Sequence, residues 1–378
     1  MRPDYAGGSL VNLVATLVAA RGGKALHEPL HDFTLDSRVR NVVLLIIDGL
    51  GDNYLARRGA GSELARRRRR SLTSVFPSTT ASAITTSYTG RTPLEHGLTG
   101  WFVYFGAAGC VSAALPYRSR GDMASLSARG VAAERIFDTP ALFVSLAVKS
   151  IVVTYREIVD SQYNRVHCRG AERLAYGNAE EFVAQLERAV KSGPERKFIY
   201  AYWPHYDAAS HHYGCESAEA AKQFAIIDAA FGEALQRLAG TETTVIATAD
   251  HGFIDVAPDD SLELPAVLFP HLKFPLCGER RIAYCHVHSP SEFMKRARDW
   301  LEERADVMPS ERLVEDGWLG PGEKHPFLAE RIGDVALMMR GRYTVKDWIA
   351  GEPRWLHIGN HGGTHEDEML VPLILEDA

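Results

Sequence analysis

Cysteine is scarce in this chain. The five residues Cys110, Cys168, Cys215, Cys277 and Cys285 are scattered, odd in number and without a CxxC pair. That argues against a disulfide framework and fits reduced thiols in a cytoplasmic protein. Long apolar runs are also missing, and no stretch has the length of a transmembrane helix. Charge of one sign is not in excess: the net charge is -6 and the pI about 6.2. Such a balance gives no sign of a nucleic-acid or membrane partner. Internal repeats are absent, and Arg66–Arg70 is the one low-complexity segment.

What is present is ample material for a core. The 378 residues are 46% hydrophobic and 24% charged, enough for one large domain or two smaller ones. Near the start, Leu10, Leu13, Val14 and Leu17 follow the spacing of one helix face, which predicts an amphipathic helix over Leu10 to Ala20. Asp4 beside Arg2 spoils the basic flank of a signal peptide, and Asn12 and Thr16 interrupt the apolar run. The small residues Ala19 and Ala20 leave a cleavable signal as the minority reading.

Further on, Asn41–Ile47 is a continuous β-branched and apolar run, as expected of a strand buried on both faces of a parallel sheet. Lys149–Thr154, Lys197–Tyr202 and Thr243–Ala247 read the same way. Helical patterns lie between them at Ser82–Thr89, Ala179–Ser192 and Glu216–Leu238. This alternation predicts an α/β fold with a mostly parallel central sheet flanked by helices. Residues of about 255–343 differ. They hold Pro-rich turns, strand-like Arg281–Val287 and Asp334–Met339, and a helix at Ser291–Arg304. We read them as a small inserted α+β subdomain in a single catalytic domain spanning 1–378, ahead of a last core strand at Leu370–Leu375.

Four segments carry acidic and histidine residues at strand ends or in loops. Asp48 ends the first strand, Asp207 and His211 follow the strand Lys197–Tyr202, Asp250 and His251 follow Thr243–Ala247, and His361 lies in a Gly-rich loop. Ligands of open α/β sheets bind at the carboxyl ends of strands, so parallel strands would bring the four segments to one rim. A strand-end carboxylate also serves as a helix cap, and an Asp-His-Gly turn often bonds its own backbone. Three aspartates and three histidines together, however, make a donor set suited to zinc and related divalent ions. Asp207 and His211, four apart, share a face if helical. Of His211 and His212, one is expected to be structural. Thr80 follows Pro77-Ser78-Thr79 at a predicted helix start, where free N–H groups and the helix dipole favour an oxyanion. On local sequence alone, a Ser/Thr cap cluster explains that segment as well.

These segments together resemble the alkaline phosphatase superfamily, most closely its nucleotide pyrophosphatase/phosphodiesterase branch. The resemblance runs from about Asn41 to the C-terminus, excluding much of the insert. Phe76–Gly90 resembles the branch's nucleophile segment without a gap, and Thr80 falls on its catalytic threonine. Thr89–Gly97, Pro204–Gly214, Ala249–Gly252 and His361–Gly363 resemble further branch segments. The resemblance implies an alkaline-phosphatase-like core and two divalent metal ions, zinc first, with manganese or iron as alternatives. One ion would take Asp207, His211 and His361. The other would take Asp48, Asp250, His251 and the Thr80 oxygen. It implies a phospho-threonine intermediate, with one metal activating the threonine and the other the water. The expected substrate is a small phosphorylated molecule, a nucleotide among the candidates.

The chain departs from the branch at Ala83 and Trp101, where the branch often has asparagines. A cysteine segment of the sulfatase kind is missing, which argues against a sulfatase. A phosphomonoesterase, a phosphonate hydrolase and a metal-binding pseudo-enzyme are the competing functions. Other residues read as structural: His365 as a loop residue, His96 as part of its turn, and Trp203, Tyr206 and Tyr213 as packing, with base stacking the alternative. Arg66–Arg70 reads as a solvated face or helix end, with guidance of polyanions the minority reading. Arg280 and Arg281 are candidates for reaching a substrate phosphate.

Overall fold

The computed structural model describes residues 1–352 and 354–378. Its centre is a seven-stranded sheet. In chain order the strands are β1 (Asn41–Ile47), β2 (Arg68–Thr73), β3 (Lys149–Tyr155), β4 (Ala171–Tyr176), β5 (Lys197–Trp203), β6 (Thr243–Thr248) and β7 (Leu370–Asp377). Their spatial order is β2-β7-β6-β1-β5-β3-β4. The five strands from β6 to β4 are parallel, with Asn41 of β1 in register with Lys197 of β5 and Thr243 of β6. Every residue of β1, β5 and β6 is buried, which explains their unbroken apolar sequences. β7 runs antiparallel to both β6 and β2.

Helices cover the sheet. The main ones are α1 (Leu10–Ala20), α2 (Thr80–Thr89), α3 (Ala179–Lys191), α4 (His205–Tyr213) and α5 (Ala218–Leu238). Asn178 caps α3 by accepting the Glu181 N–H at 2.9 Å, and Ser217 caps α5 by accepting that of Ala220 at 3.1 Å. Gly90 ends α2 in the left-handed conformation, φ 69°. The amphipathic reading of α1 needs correction, because all its residues except Ala19 are buried. Asn12 survives there because its amide donates to the Tyr5 and Glu28 carbonyls, at 3.0 and 2.9 Å, and its oxygen accepts from Ser9. Burying each of Leu10, Leu13 and Leu17 contributes about 1.5–3 kcal/mol, and α1 packs directly on α2.

Arg66–Arg70 meets the helix-end expectation in part: Arg66 closes the short helix Glu63–Arg66, whereas residues 68–70 belong to edge strand β2. Arg67 pairs with Glu63 and Glu376, and Arg68 pairs with Asp52, so most of this charge is already engaged. Charged side chains on an edge strand also discourage strand addition by another chain.

A second seven-stranded sheet is antiparallel. It takes Cys277–Gly278, Ile282–Cys285, Ala305–Pro309 and Val335–Met339 from the later chain, and Phe102–Phe105, Cys110–Ala113 and Arg118–Ser119 from the earlier. The helix Pro290–Leu301 packs beside Ala305–Pro309. Apolar residues cluster separately around the two sheets. No helix among the described residues is long and apolar enough to cross a membrane.

Candidate active site

The topology decides where each chemical group arrives. Asp48 follows β1, α4 follows β5, and Asp250 and His251 follow β6, all at the carboxyl rim of the parallel strands. β7 runs the other way, so the loop that enters it, with His361, reaches the same rim. β2 opposes β7 and therefore also ends there, delivering the segment that starts α2. All seven residues singled out in the sequence meet at this rim.

They form two groups. Asp207, His211 and His361 bring one ligand atom each within 4.8 Å of one another, and Asp48, Asp250 and His251 do the same. His251 Nε2 lies 3.4 Å from Asp48 Oδ1, 3.4 Å from Asp250 Oδ2 and 4.0 Å from Asp207 Oδ1, so the groups adjoin. Thr80, the first residue of α2, places Oγ1 3.1 Å from His251 Nε2.

Backbone contacts orient the side chains. Asp250 Oδ1 accepts the N–H groups of Gly49 and His251, both at 3.0 Å. His211 Nδ1 lies 2.9 Å from the Gly359 carbonyl and His251 Nδ1 3.0 Å from that of Gly252. A carbonyl can only accept, so each ring holds its proton on Nδ1 and turns the Nε2 lone pair into the site. The Tyr202 hydroxyl donates to Asp48 Oδ2.

Burial and mutual repulsion set the electrostatics of these groups. Burial pushes Asp48 well above the usual carboxylate range, and Asp207 and Asp250 push it further. Burial, then Asp250 and Glu279, do the same to Asp207. Burial lowers His211 to about 3 and holds His361 well below the usual histidine value, which keeps the imidazoles neutral. Asp48 Oδ1, Asp207 Oδ1 and Asp250 Oδ2 are buried without hydrogen-bond partners. Orphaned carboxylate oxygens beside neutral imidazole nitrogens are the donors a divalent cation requires.

Around this centre the expectations divide. Neither Ser78 nor Thr79 caps α2 with its side chain: the Ser78 hydroxyl donates to the Gly363 carbonyl at 2.8 Å and that of Thr79 to Glu279 at 2.6 Å. His365 Nδ1 accepts the Asp367 N–H at 3.1 Å and caps a short turn. His96 is buried, 3.2 Å from the Thr86 hydroxyl. His212 packs against Trp355, with ring centres 5.0 Å apart and planes tilted by 47°. Trp203 and Tyr206 are buried core, and Tyr213 is exposed. Arg281 cannot reach a substrate, because its buried guanidinium is committed to Glu368 and to the carbonyls of Gly341 and Tyr343.

A cavity of about 260 Å³ opens beside Thr80, Asp207, His211 and His361. Trp101, Glu279, Arg280 and Lys346 line the same cavity, Glu279 and Arg280 from the turn between Cys277–Gly278 and Ile282–Cys285 of the second sheet. Glu279 carries no sequence signal. It accepts the Thr79 hydroxyl and the Trp101 N–H, both at 2.6 Å, and burial raises it to about 7. The Trp101 backbone donor is therefore already engaged. All five cysteines are free thiols.

No curated protein matches this chain. Among solved structures, murine ectonucleotide pyrophosphatase/phosphodiesterase 5 aligns at TM-score 0.65 and 15% identity, covering 88% of this chain and 87% of that one. An inactive variant of it is in complex with AMP. Phosphonoacetate hydrolase from Sinorhizobium meliloti 1021, in complex with phosphonoformate, aligns at TM-score 0.64 and 17% identity, covering 89% and 90%. These likenesses establish the fold, which is of the alkaline phosphatase type. The family model of type I phosphodiesterase/nucleotide pyrophosphatase matches residues 42–365, and the chain belongs to that family of phosphoester hydrolases.

Proposed function

We propose that this enzyme hydrolyses small phosphodiesters, nucleotides among them, with Thr80 as nucleophile between two divalent metal ions. The observation that carries the reading is the Thr80 hydroxyl 3.1 Å from His251 Nε2, where two three-residue donor groups adjoin. Asp207, His211 and His361 would hold one ion, and Asp48, Asp250 and His251 the other, with the Thr80 oxygen. The mixed carboxylate and imidazole donors fit zinc best, with manganese or iron as alternatives. Bound ions would lower the pKa of the attacking oxygen and offset charge on the transferring phosphoryl group.

The chain's own groups do the rest. Thr80 Oγ1 attacks phosphorus, the ester oxygen leaves, and water later hydrolyses the phospho-threonine. First-turn N–H groups of α2 face the phosphoryl oxygens, since helix starts leave them unpaired. The Gly359 and Gly252 carbonyls fix the His211 and His251 tautomers, and Tyr202 holds Asp48. A phosphonate hydrolase on the same residues is the second reading, compatible with the shared fold.

The test is metal analysis of the purified protein, joined to turnover of an aryl phosphodiester, a nucleotide and a phosphonate. Two ions per chain and diester turnover abolished by a chelator are expected. A metal-free protein that hydrolyses the diester would refute the site.

A further inference from the structure

Three cations line the cavity that Thr80 also lines: Arg120, Arg280 and Lys346. Their surroundings differ. Arg120 is consumed by structure, pairing with Asp347 and Glu352, each at 2.7 Å, and donating to the Leu276 carbonyl at 2.8 Å. Arg280 is half-buried, and among the described residues no carboxylate comes within 4.0 Å of it. One guanidinium nitrogen donates to the Trp355 carbonyl at 3.1 Å. The neighbouring Glu279 spends its carboxylate on Thr79 and Trp101. Lys346 lies 3.8 Å from Glu352, which Arg120 already holds, and 4.0 Å from the centre of the Trp348 ring.

Arg280 also lies close enough for its charge to act on Lys346. Burial, then the charge of Arg280, brings the Lys346 ammonium down to about 8, and burial brings Arg280 down to about 10. Two partly desolvated like charges facing one cavity are unfavourable until an anion lies between them.

We propose that Arg280 and Lys346 form a subsite for a second anionic group of the substrate, a carboxylate or a phosphate carried away from the scissile phosphorus. The proposal rests on the phosphoester reading for the position of that phosphorus. Arginine offers a planar, bidentate match to either oxyanion and lysine a point charge, so the pair accommodates both. The substrate would therefore be bipolar in its binding, with the phosphoryl centre at Thr80 and the second anion at the cationic wall.

Binding to the zinc-loaded Thr80→Ala protein tests this without turnover. Methyl, carboxymethyl and 2-phosphoethyl esters of phenyl phosphate are titrated by calorimetry. At least one anionic ester should bind about tenfold tighter than the methyl ester, and which one identifies the anion. The preference should shrink below about threefold in Arg280→Met and Lys346→Met, and Arg280→Lys should keep part of it. Equal affinity for the three esters, or no binding of the anionic ones, overturns the subsite, as does a preference that survives both methionine variants. Anion preference in a parent enzyme that hydrolyses none of the esters would instead count against the phosphoester reading alone.

Discussion

The adjacent hydroxyls of Thr79 and Thr80 meet different surroundings. Thr79 donates to Glu279, whereas Thr80 points at His251 and the two donor groups. We expect Thr80→Ala to lower kcat by at least about 10³-fold, as loss of a nucleophile does, while metal content and melting temperature stay near the parent's. Thr79→Ala should retain turnover within about tenfold. Activity that survives in the first and vanishes in the second would reassign the nucleophile. The donor residues were legible in the sequence because carboxylates and imidazoles at strand ends are a sparse, chemically specific pattern. Glu279 was not legible: nothing local separates it from an exposed turn glutamate, and its burial comes from the second sheet closing over the rim. The same closure separates Arg280 from Arg281, which are equivalent in sequence but face the cavity and Glu368 respectively.

Among the elements, the turn after β6 is the tightest constraint on the site. A Cβ on Gly252 would lie 2.1 Å from the Asp367 carbonyl oxygen and 2.8 Å from Gly51 Cα, both backbone atoms. Neither can swing away as a side chain does, so Gly252→Ala must displace the turn carrying Asp250 and His251. We expect a loss of about 3 kcal/mol in denaturant unfolding and weaker retention of metal on dialysis. A variant as stable and as metal-loaded as the parent would show that the turn tolerates movement. Four of the five parallel strands are readable from their apolar runs, since burial on both faces leaves no alternation; β4 is not, because this edge strand is largely exposed and carries Glu172 and Arg173. β2 is not readable, because three successive arginines carry no strand pattern and only pairing with β7 makes them one. The spacing of Leu10, Leu13, Val14 and Leu17 predicts α1 with one wet face, although the chain folds over every residue of it but Ala19. The antiparallel sense of β7 cannot be read from its own residues, yet it brings His361 to the rim.

For the whole molecule, charge balance at the rim governs both stability and substrate choice. Each ion would join segments far apart in sequence, Asp48 to Asp250 and Asp207 to His361. A ligand at about 1,000 times its Kd adds about 4 kcal/mol to the folded state. Removing two ions should therefore lower the melting temperature by on the order of 5–10 °C, measured by calorimetry with and without chelator. An unchanged melting temperature after proven metal loss would mean that packing alone tolerates the clustered carboxylates. Substrate choice follows from the same balance. A phosphate monoester brings a dianion to the phosphoryl position, where a diester brings a monoanion. Glu279 lines the cavity with Thr80, the Trp101 N–H is already engaged, and Arg281 is locked on Glu368. Among the described residues no arginine hydrogen-bonds to Thr80, whose hydroxyl faces His251. The extra charge of a monoester thus meets a carboxylate rather than a guanidinium. We expect kcat/KM for a 4-nitrophenyl diester to exceed that of the corresponding monoester by at least about tenfold, and Glu279→Gln to narrow the gap. A monoester preference in the parent, lost in Arg280→Met, would instead place the guanidinium on the phosphoryl oxygens and make the enzyme a phosphomonoesterase.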